Sequence, residues 1–419
     1  MTGPFHHALG RAPRILFLDG PGSTIVSYQR WRADDNHPGE TAVTYSGQLF
    51  SVARRLGAKV MAISPIGPAE RLDDGDFVIE HRPQPWPNAS GAGFYAAQAL
   101  WAADIMQVAL RFRPDVMLLT ESPHPFLFTP LKSAGIRLVC ALHCTFWPAG
   151  FPPTKRMAVR TAAANGWFFR NVCDATLAIS PECERQVFEL ARAPKGPVLP
   201  YRPKYGARIA APRLTPAGRP FRVLFAGRCE PEKGVFDVLE LARRLLRKRP
   251  GDFHFTICGG GSSQSQVQNQ IANARLAEQV TVRGQLEGRE LRTEYEGCDA
   301  VLMPTTPNFT EGLNKVALEA LLAGRPAIMS STIPAAEMAG DAALVVPAGD
   351  LDGFQSALER LADDPALYRR CSDATIPAGE PFVASHITFE NVVEQTLRAQ
   401  LGSLTAAHPP PAPPVTLPS

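Results

Sequence analysis

The amino-acid sequence predicts an α/β protein of two lobes, each a parallel sheet covered by helices, with a cleft between them. Three observations carry this expectation. Along the 419 residues, short apolar runs alternate with helical stretches, the signature of parallel strands with helices on their faces. A segment rich in Pro and Gly, Leu199-Pro-Tyr-Arg-Pro-Lys-Tyr-Gly206 through Pro216-Ala-Gly-Arg-Pro220, interrupts the alternation near the middle and reads as a linker. A new core strand begins directly after it, and each half is long enough to bury its own core. No repeat of roughly 20–50 residues recurs, which argues against solenoids and propellers.

The elements follow in order. Arg14-Ile-Leu-Phe-Leu18 is a buried strand running into the turn Asp19-Gly-Pro-Gly22. Helical periodicity extends from about Thr41 to Leu56 and is ended by Gly57, and Lys59-Val-Met-Ala-Ile63 is the next strand. Further strands are expected at Asp115–Leu119, Ile136–Cys140 and Ala175–Ile179, with helices between them. The second half restarts at Phe221-Arg-Val-Leu-Phe-Ala226 and continues with Phe253–Cys258, Val280–Val282, Ala300–Met303 and Ala343–Val346. An amphipathic helix from Phe389 to Leu401 follows the breakers Pro377 and Pro381. The implied boundaries are 1–205 for the first lobe, 206–220 for the linker, 221–382 for the second lobe and 383–402 for the closing helix. Residues 403–419 end in a Pro-rich tail that cannot build a core and reads as disordered. The lobes are Rossmann-like, and open parallel sheets bind ligands beyond the carboxyl ends of their strands.

Composition narrows the function classes. Hydrophobic residues make up 45% and charged residues 20%, as in a globular soluble protein, and a net charge of +3 gives no case for nucleic acid. No apolar run approaches the roughly 20 residues that cross a bilayer. The N-terminus lacks the cationic start and apolar core of an export signal, so a cytoplasmic protein is expected. Eight cysteines without a Cys-x-x-Cys pair read as reduced, packed thiols. Cys140, His143 and Cys144 match no common zinc spacing, and Asp74-Gly-Asp76 sits in a polar turn, so no metal is expected.

Several loops carry chemistry. In Glu311-Gly312-Leu313-Asn314-Lys315-Val-Ala-Leu-Glu319, one carboxylate sits where a loop enters a helix and the second lies about two turns inside it. Helix N-termini attract phosphate and carboxylates accept hydrogen bonds from sugar hydroxyls, so this unit could grip both halves of a sugar nucleotide. The loop Gly227-Arg228-Cys-Glu-Pro-Glu-Lys233-Gly234 offers a guanidinium and an ammonium five residues apart. Such a pair can neutralise a diphosphate without a metal as charge develops on it. Gly259-Gly-Gly-Ser-Ser263 and Arg283-Gly284-Gln-Leu286 end the next two strands and permit close backbone approach. Neither a complete Gly-x-Gly-x-x-Gly fingerprint nor a Gly-x-x-x-x-Gly-Lys-Ser/Thr loop is present, which counts against dehydrogenase and P-loop readings.

With these motifs, residues 221–400 resemble the donor lobe of glycosyltransferase family 4, whose members have two facing Rossmann-like lobes, the GT-B architecture. The resemblance rests on Phe225-Ala-Gly-Arg-x4-Lys-Gly234, the paired glutamates, Pro326-Ala-Ile-Met-Ser330 and Gly340-Asp-Ala-Ala-Leu-Val-Val-Pro347. Ile387-Thr-Phe-Glu-Asn-Val-Val-Glu394 is similar to the family's C-terminal helix, which often crosses back to the first lobe. The family pattern implies that Arg228 and Lys233 hold the donor diphosphate, Glu311 the transferred sugar and Glu319 the ribose, with Gly284 to Leu286 facing the base. Gly227, Gly259, Gly312, Leu313, Asn314 and Lys315 complete the implied donor site. Asn314 and Lys315 depart from the Gly and apolar residue common in relatives. In the first lobe, Leu142-His143-Cys144-Thr145 resembles the strand-end His of the cleft, and His143 joins Glu311, Arg228 and Lys233 as a candidate catalytic group. Asn36-His-Pro-Gly39-Glu-Thr41 replaces the usual Gly-Gly loop, with Thr41 as helix cap; Glu121 and His124 are further cleft candidates.

The implied function is a retaining, metal-independent hexosyltransferase that moves a sugar from a nucleoside diphosphate to a hydroxyl of a polysaccharide, lipid-linked or small glycoside acceptor. It needs no cofactor, since the nucleotide sugar is a substrate. A sugar-nucleotide epimerase and a non-catalytic sugar-nucleotide-binding protein are the alternatives. From Pro152 to Asn171 there are four cations and no acid, and Arg156, Arg160, Trp167 and Arg170 share a helical face. That stretch reads as a covering helix that could also touch anionic lipid at the inner membrane face.

Overall fold

The structure, a computed structural model, describes residues 9–20, 22–35, 42–120 and 124–407. Two sheets organise it. The first has eight strands in the order β3-β4-β2-β1-β5-β6-β7-β8. They are β1 Arg14–Leu18, β2 Lys59–Ser64, β3 Glu70–Asp74, β4 Phe77–His81, β5 Val116–Leu119, β6 Arg137–Leu142, β7 Ala175–Ala178 and β8 Val198–Pro200. All pairings are parallel except β3 with β4. The second sheet is wholly parallel, in the order β11-β10-β9-β12-β13-β14. Its strands are β9 Phe221–Ala226, β10 Phe253–Cys258, β11 Val280–Gly284, β12 Ala300–Met303, β13 Ala327–Ser330 and β14 Ala343–Val346. Both lobes are thus α/β, with helices between most consecutive strands, as the alternation of apolar runs requires.

One buried cluster runs from the first sheet through Tyr201, Tyr205 and Ile209 into the helix face under the second sheet. A second cluster fills that sheet's other face around Phe221, Phe253 and Tyr368. The helix Phe389–Ala407 returns to the first lobe and extends beyond its expected end at Leu401. Phe389, Val393, Leu397 and Leu401 are fully buried, and Arg55 fastens its start through Glu390 at 2.9 Å and Glu394 at 2.6 Å.

Two local expectations are corrected, and two elements were not anticipated. The helix begins at Tyr45 and is capped by Thr44, whose hydroxyl accepts the Gly47 N–H at 3.2 Å. Thr41 lies outside the described residues, and the chain before Thr44 is held extended by a bridge between Ala42 and Tyr205. Pro377 and Pro381 do not break the chain: the helix Pro365–Val383 runs through both. Each proline forfeits one backbone donor, while Leu367, Tyr368, Cys371 and Phe382 are buried along the helix and outweigh the loss. The hairpin β3–β4 escapes a search for apolar runs because β3 is mostly exposed and charged. Asp74-Gly75-Asp76 is its turn, with Asp74 accepting from the Tyr28 hydroxyl at 2.7 Å. Lastly, the polar stretch Thr24–Arg32 is a helix, capped by Ser23. Among the described residues, no helix is long and apolar enough to cross a membrane.

Candidate active site

Three strand ends of the second sheet turn on glycines and interlock. The Gly227 N–H donates to the Cys258 carbonyl at 2.9 Å, and the Gly259 N–H donates to the Gly284 carbonyl at 2.7 Å. A Cβ on Gly259 would lie 1.8 Å from the Gly227 carbonyl oxygen, and its φ is 138°, so only glycine lets these loops close together. Beside them opens a cavity of about 550 Å³ whose lining includes Gly227, Arg228, Gly259, Gln285, Leu286 and Glu319. That volume is of the order of a small-molecule site. Glu319 reaches it from the second turn of the helix Lys315–Leu322, only 6% exposed, and accepts the Tyr295 hydroxyl at 2.7 Å.

Next to the cavity, Lys233 forms an ion pair with Glu311. Glu311 is 7% exposed, and its Oε1 also accepts from the Asn314 amide at 3.1 Å. Asn314 is the helix N-cap: its Oδ1 accepts the Ala317 N–H at 3.3 Å, and its φ of 75° is one that Asn tolerates better than most residues. The Lys233 ammonium lies 4.0 Å from the centroid of the Phe309 ring, and the Arg228 guanidinium shares that ring at 5.3 Å. Phe309, two residues before Glu311, therefore packs against both cations of the loop after β9, Arg228 in the cavity wall and Lys233 paired with Glu311.

The first lobe meets this loop directly. Thr145 donates its hydroxyl to the Glu311 carbonyl at 3.1 Å, and Gly312 lies so close to the end of β6 that a Cβ would stand 1.7 Å from the His143 carbonyl oxygen. His143 stacks on Tyr45 at 4.3 Å between centroids and hydrogen-bonds the Tyr201 hydroxyl through Nδ1. The same hydroxyl lies 3.1 Å from the Leu142 carbonyl. The Tyr201 hydroxyl has one proton to give, to the Leu142 carbonyl or to Nδ1, and the His143 tautomer follows from that choice. Burial, with Lys315 nearby, pushes the imidazole down to about 3, so it is neutral at physiological pH.

The candidates thus fall into three neighbouring groups. Gly227, Arg228, Gly259, Leu286 and Glu319 line the cavity, with Gly284 bonded behind Gly259. Lys233, Glu311 and Asn314 form a polar cluster, while Gly312 and Leu313 are buried. Lys315 is exposed and faces the Tyr45 ring at 5.9 Å, beside His143. His124 stands apart, stacked on Tyr95 at the start of a 3-10 helix, and Glu121, Asn36 and Gly39 lie outside the described residues. Arg156, Arg160, Trp167 and Arg170 are all exposed, and Arg170 is in addition tied to the Ala191 carbonyl at 2.8 Å. Sequence reasoning missed Tyr295, Phe309, Tyr45 and Tyr201, and gave the side chains of Gln285 and Thr145 no role inside the motifs that hold them. Phe309 adjoins the glutamate motif and was open to discovery; Tyr295, in another helix, carried no signal. Asp19, at the end of β1, was read only as a turn, yet burial raises its carboxyl to about 6 against hydrogen bonds from Thr24, Gly20 and Ser46.

Residues 210–376 match the family model described as Glycosyl transferases group 1. The chain is 32% identical over 157 residues to the glycogen synthase of Mycobacterium tuberculosis, 37% of each protein. It is 33% identical over 149 residues to the D-inositol 3-phosphate glycosyltransferase of Paenarthrobacter aurescens, 34% of this chain and 36% of that protein. The matched stretch therefore spans little more than a third of these relatives. Among solved structures, sucrose-phosphate synthase from Thermosynechococcus elongatus superposes with a TM-score of 0.63 at 14% identity, covering 94% of this chain and 100% of that one. Anabaena Alr3699/HepE in complex with UDP gives 0.59 at 16% identity, covering 93% and 100%. These likenesses establish the two-lobed GT-B fold.

Proposed function

We propose that this chain is a retaining, metal-independent glycosyltransferase that moves a hexose from a nucleoside diphosphate to a hydroxyl acceptor. The observation that carries the reading is the cavity at the carboxyl ends of β9, β10 and β11, reached by Glu319 and flanked by Arg228, Lys233 and Glu311. The group 1 family match over the same lobe supports it. Glu319 would accept from the ribose hydroxyls, and the backbone of Gly284 to Leu286 would face the base. Arg228, Lys233 and the free N–H groups at the start of the helix Lys315–Leu322 would take the diphosphate. Glu311 would accept from the sugar. In the reaction, the acceptor oxygen bonds to the anomeric carbon while the bond to the diphosphate breaks, its electron pair leaves on the phosphate oxygen, and the acceptor's hydroxyl proton passes to that departing phosphate. Fixed cations favour that departure without a divalent ion or cofactor.

His143, neutral at physiological pH, would meet a sugar hydroxyl through Nε2 across the cleft. Retention of configuration follows the family 4 resemblance. The acceptor class extends from polysaccharide to lipid-linked and small glycosides, and the names of the relatives span storage polymer and inositol phosphate chemistry. All eight cysteines are free and seven are buried, which suits a reducing, cytoplasmic setting. The test is thermal stabilisation by a panel of UDP-, GDP- and ADP-sugars, repeated with Glu319→Ala. One class should raise the wild-type melting temperature, and the variant should lose most of that shift. If every nucleotide sugar leaves the wild type unchanged, the reading fails.

A further inference from the structure

The helix Arg156–Asn171 and the 3-10 helix Pro125–Ala134 together present a face that the proposed reaction does not use. Trp167 is 52% exposed and Met157 46%, and Phe151, in the approach to the helix, is 45% exposed. Between the two helices lies a shallow apolar groove of about 520 Å³, walled by Phe126, Leu127, Pro130 and Trp167. Arg156, Arg160 and Trp167 are four and seven residues apart and lie along one side of the helix, and Lys155 precedes them, all exposed. No acid occurs from Pro152 to Asn171. The next one, Asp174, is already neutralised by Lys132 and Lys195.

An aromatic and aliphatic ridge edged by cations that form no ion pair among the described residues is complementary to an anionic lipid surface, which offers apolar depth below a layer of phosphate. We infer that this face docks on an anionic bilayer, with Trp167 and Phe151 entering the interface and Lys155, Arg156 and Arg160 on headgroup phosphates. Residues 143–155 lead from the end of β6 to this helix, and Gln186 holds their start by accepting the Phe146 N–H at 2.7 Å. The docked lobe therefore carries His143 on a short tether from the bilayer. Resting on the proposed glycosyl transfer, this favours a membrane-anchored hydroxyl acceptor; the docking itself does not depend on that reading.

Co-sedimentation of the full chain with vesicles tests it, using phosphatidylcholine alone and phosphatidylcholine mixed with phosphatidylglycerol. Binding is expected on the mixed vesicles only, with release by salt. Arg156→Gln and Arg160→Gln should each weaken it about fivefold, and together roughly 25-fold. Trp167→Ala should weaken it and abolish the vesicle-induced change in tryptophan emission. All three side chains are exposed, so an unchanged melting temperature in each variant certifies the fold. Equal binding to both vesicles, none to either, or undiminished binding by the double Gln variant overturns the inference. So does a dimer in solution that Trp167→Ala dissolves, since the face would then cover a second copy. Nucleotide-sugar stabilisation is read separately, so failure of docking and failure of the glycosyltransferase reading are distinguishable.

Discussion

Gly312→Ala probes the contact through which the first lobe closes on the glutamate loop. A Cβ there would lie 1.7 Å from the His143 carbonyl oxygen and 3.0 Å from the Cys144 nitrogen, where ordinary contact begins at 3.4 Å. Both obstructing atoms are backbone at the end of β6, inside an eight-stranded sheet, so no side-chain rotation relieves the overlap. The strand end must retreat by roughly 1.7 Å. A misplacement of about 1 Å costs on the order of 100-fold in a reaction that depends on positioning, so kcat for sugar transfer should fall by at least that factor. The cavity belongs to the second lobe, so the dissociation constant of the bare nucleotide should stay within about threefold, under 1 kcal/mol. Gly297→Ala is the control, because a Cβ there meets nothing within 4 Å. Steady-state kinetics and calorimetry on the three proteins decide the matter. A Gly312→Ala enzyme whose kcat is within about threefold of wild type would refute the idea that turnover requires this closure.

Four further outcomes are expected. Lys233→Ala should lower turnover about 10²–10³-fold at saturating donor, the scale of one preorganised charge-stabilising group; unchanged turnover removes Lys233 from the diphosphate site. Glu311→Ala should impair sugar transfer more than binding of the bare nucleotide, and equal losses in kinetics and calorimetry would contradict a sugar-facing role. Tyr295→Phe strips Glu319 of its 2.7 Å hydroxyl donor in a buried setting and should destabilise the fold by about 1–3 kcal/mol in urea unfolding; a change near zero would mean that water replaces it. The last concerns pH. His143 stays neutral in the fold down to about 3 while the unfolded chain takes up a proton near 6.5, so its contribution to stability is present above pH 6.5 and is lost as pH falls towards 3. Asp19, raised to about 6, works in the opposite direction between 3.8 and 6. Between pH 7.5 and 5.5, His143→Gln should therefore flatten the stability profile relative to wild type by up to roughly 1.4 kcal/mol per pH unit, and parallel profiles would show that the imidazole titrates freely.

The parts of the molecule legible in the sequence are those whose information is local. Strand β12 is a continuous apolar run, and β9 and β10 are apolar but for Arg222, His254 and Thr256, because helices cover both faces of a parallel sheet, so their limits could be read almost residue by residue. The loops after β9 and β12 carry their chemistry within a few positions, and their charged and glycine residues meet in space for that reason. What was hidden is assembled from distant segments. The cage around His143 draws Tyr45, Tyr201 and Phe389 from a helix start, the interlobe connection and the closing helix. No periodicity connects these three residues, and each alone reads as core. Tyr295 reaches Glu319 across 24 residues of sequence from an otherwise polar helix. The prolines misled for the opposite reason: a strong local rule was overridden by the burial of Tyr368, Cys371 and Phe382.

Asn314 shows how one departure from a common pattern is accommodated and what it changes. In the capping position its side chain consumes the Ala317 N–H, one of the helix-start donors otherwise free for a phosphate. Its other end steadies Glu311, which already neutralises Lys233. Under the proposed reading, a diphosphate must compete with Glu311 for the Lys233 ammonium. As the cation turns to the phosphate, Oε1 of Glu311 gives up its charged partner and can accept from a sugar hydroxyl, while the Asn314 amide on the same oxygen keeps the carboxylate in place. Recognition of the phosphate and recognition of the sugar are then one exchange rather than two independent contacts, because Lys233 and Glu311 each satisfy the other until both halves of the donor are present.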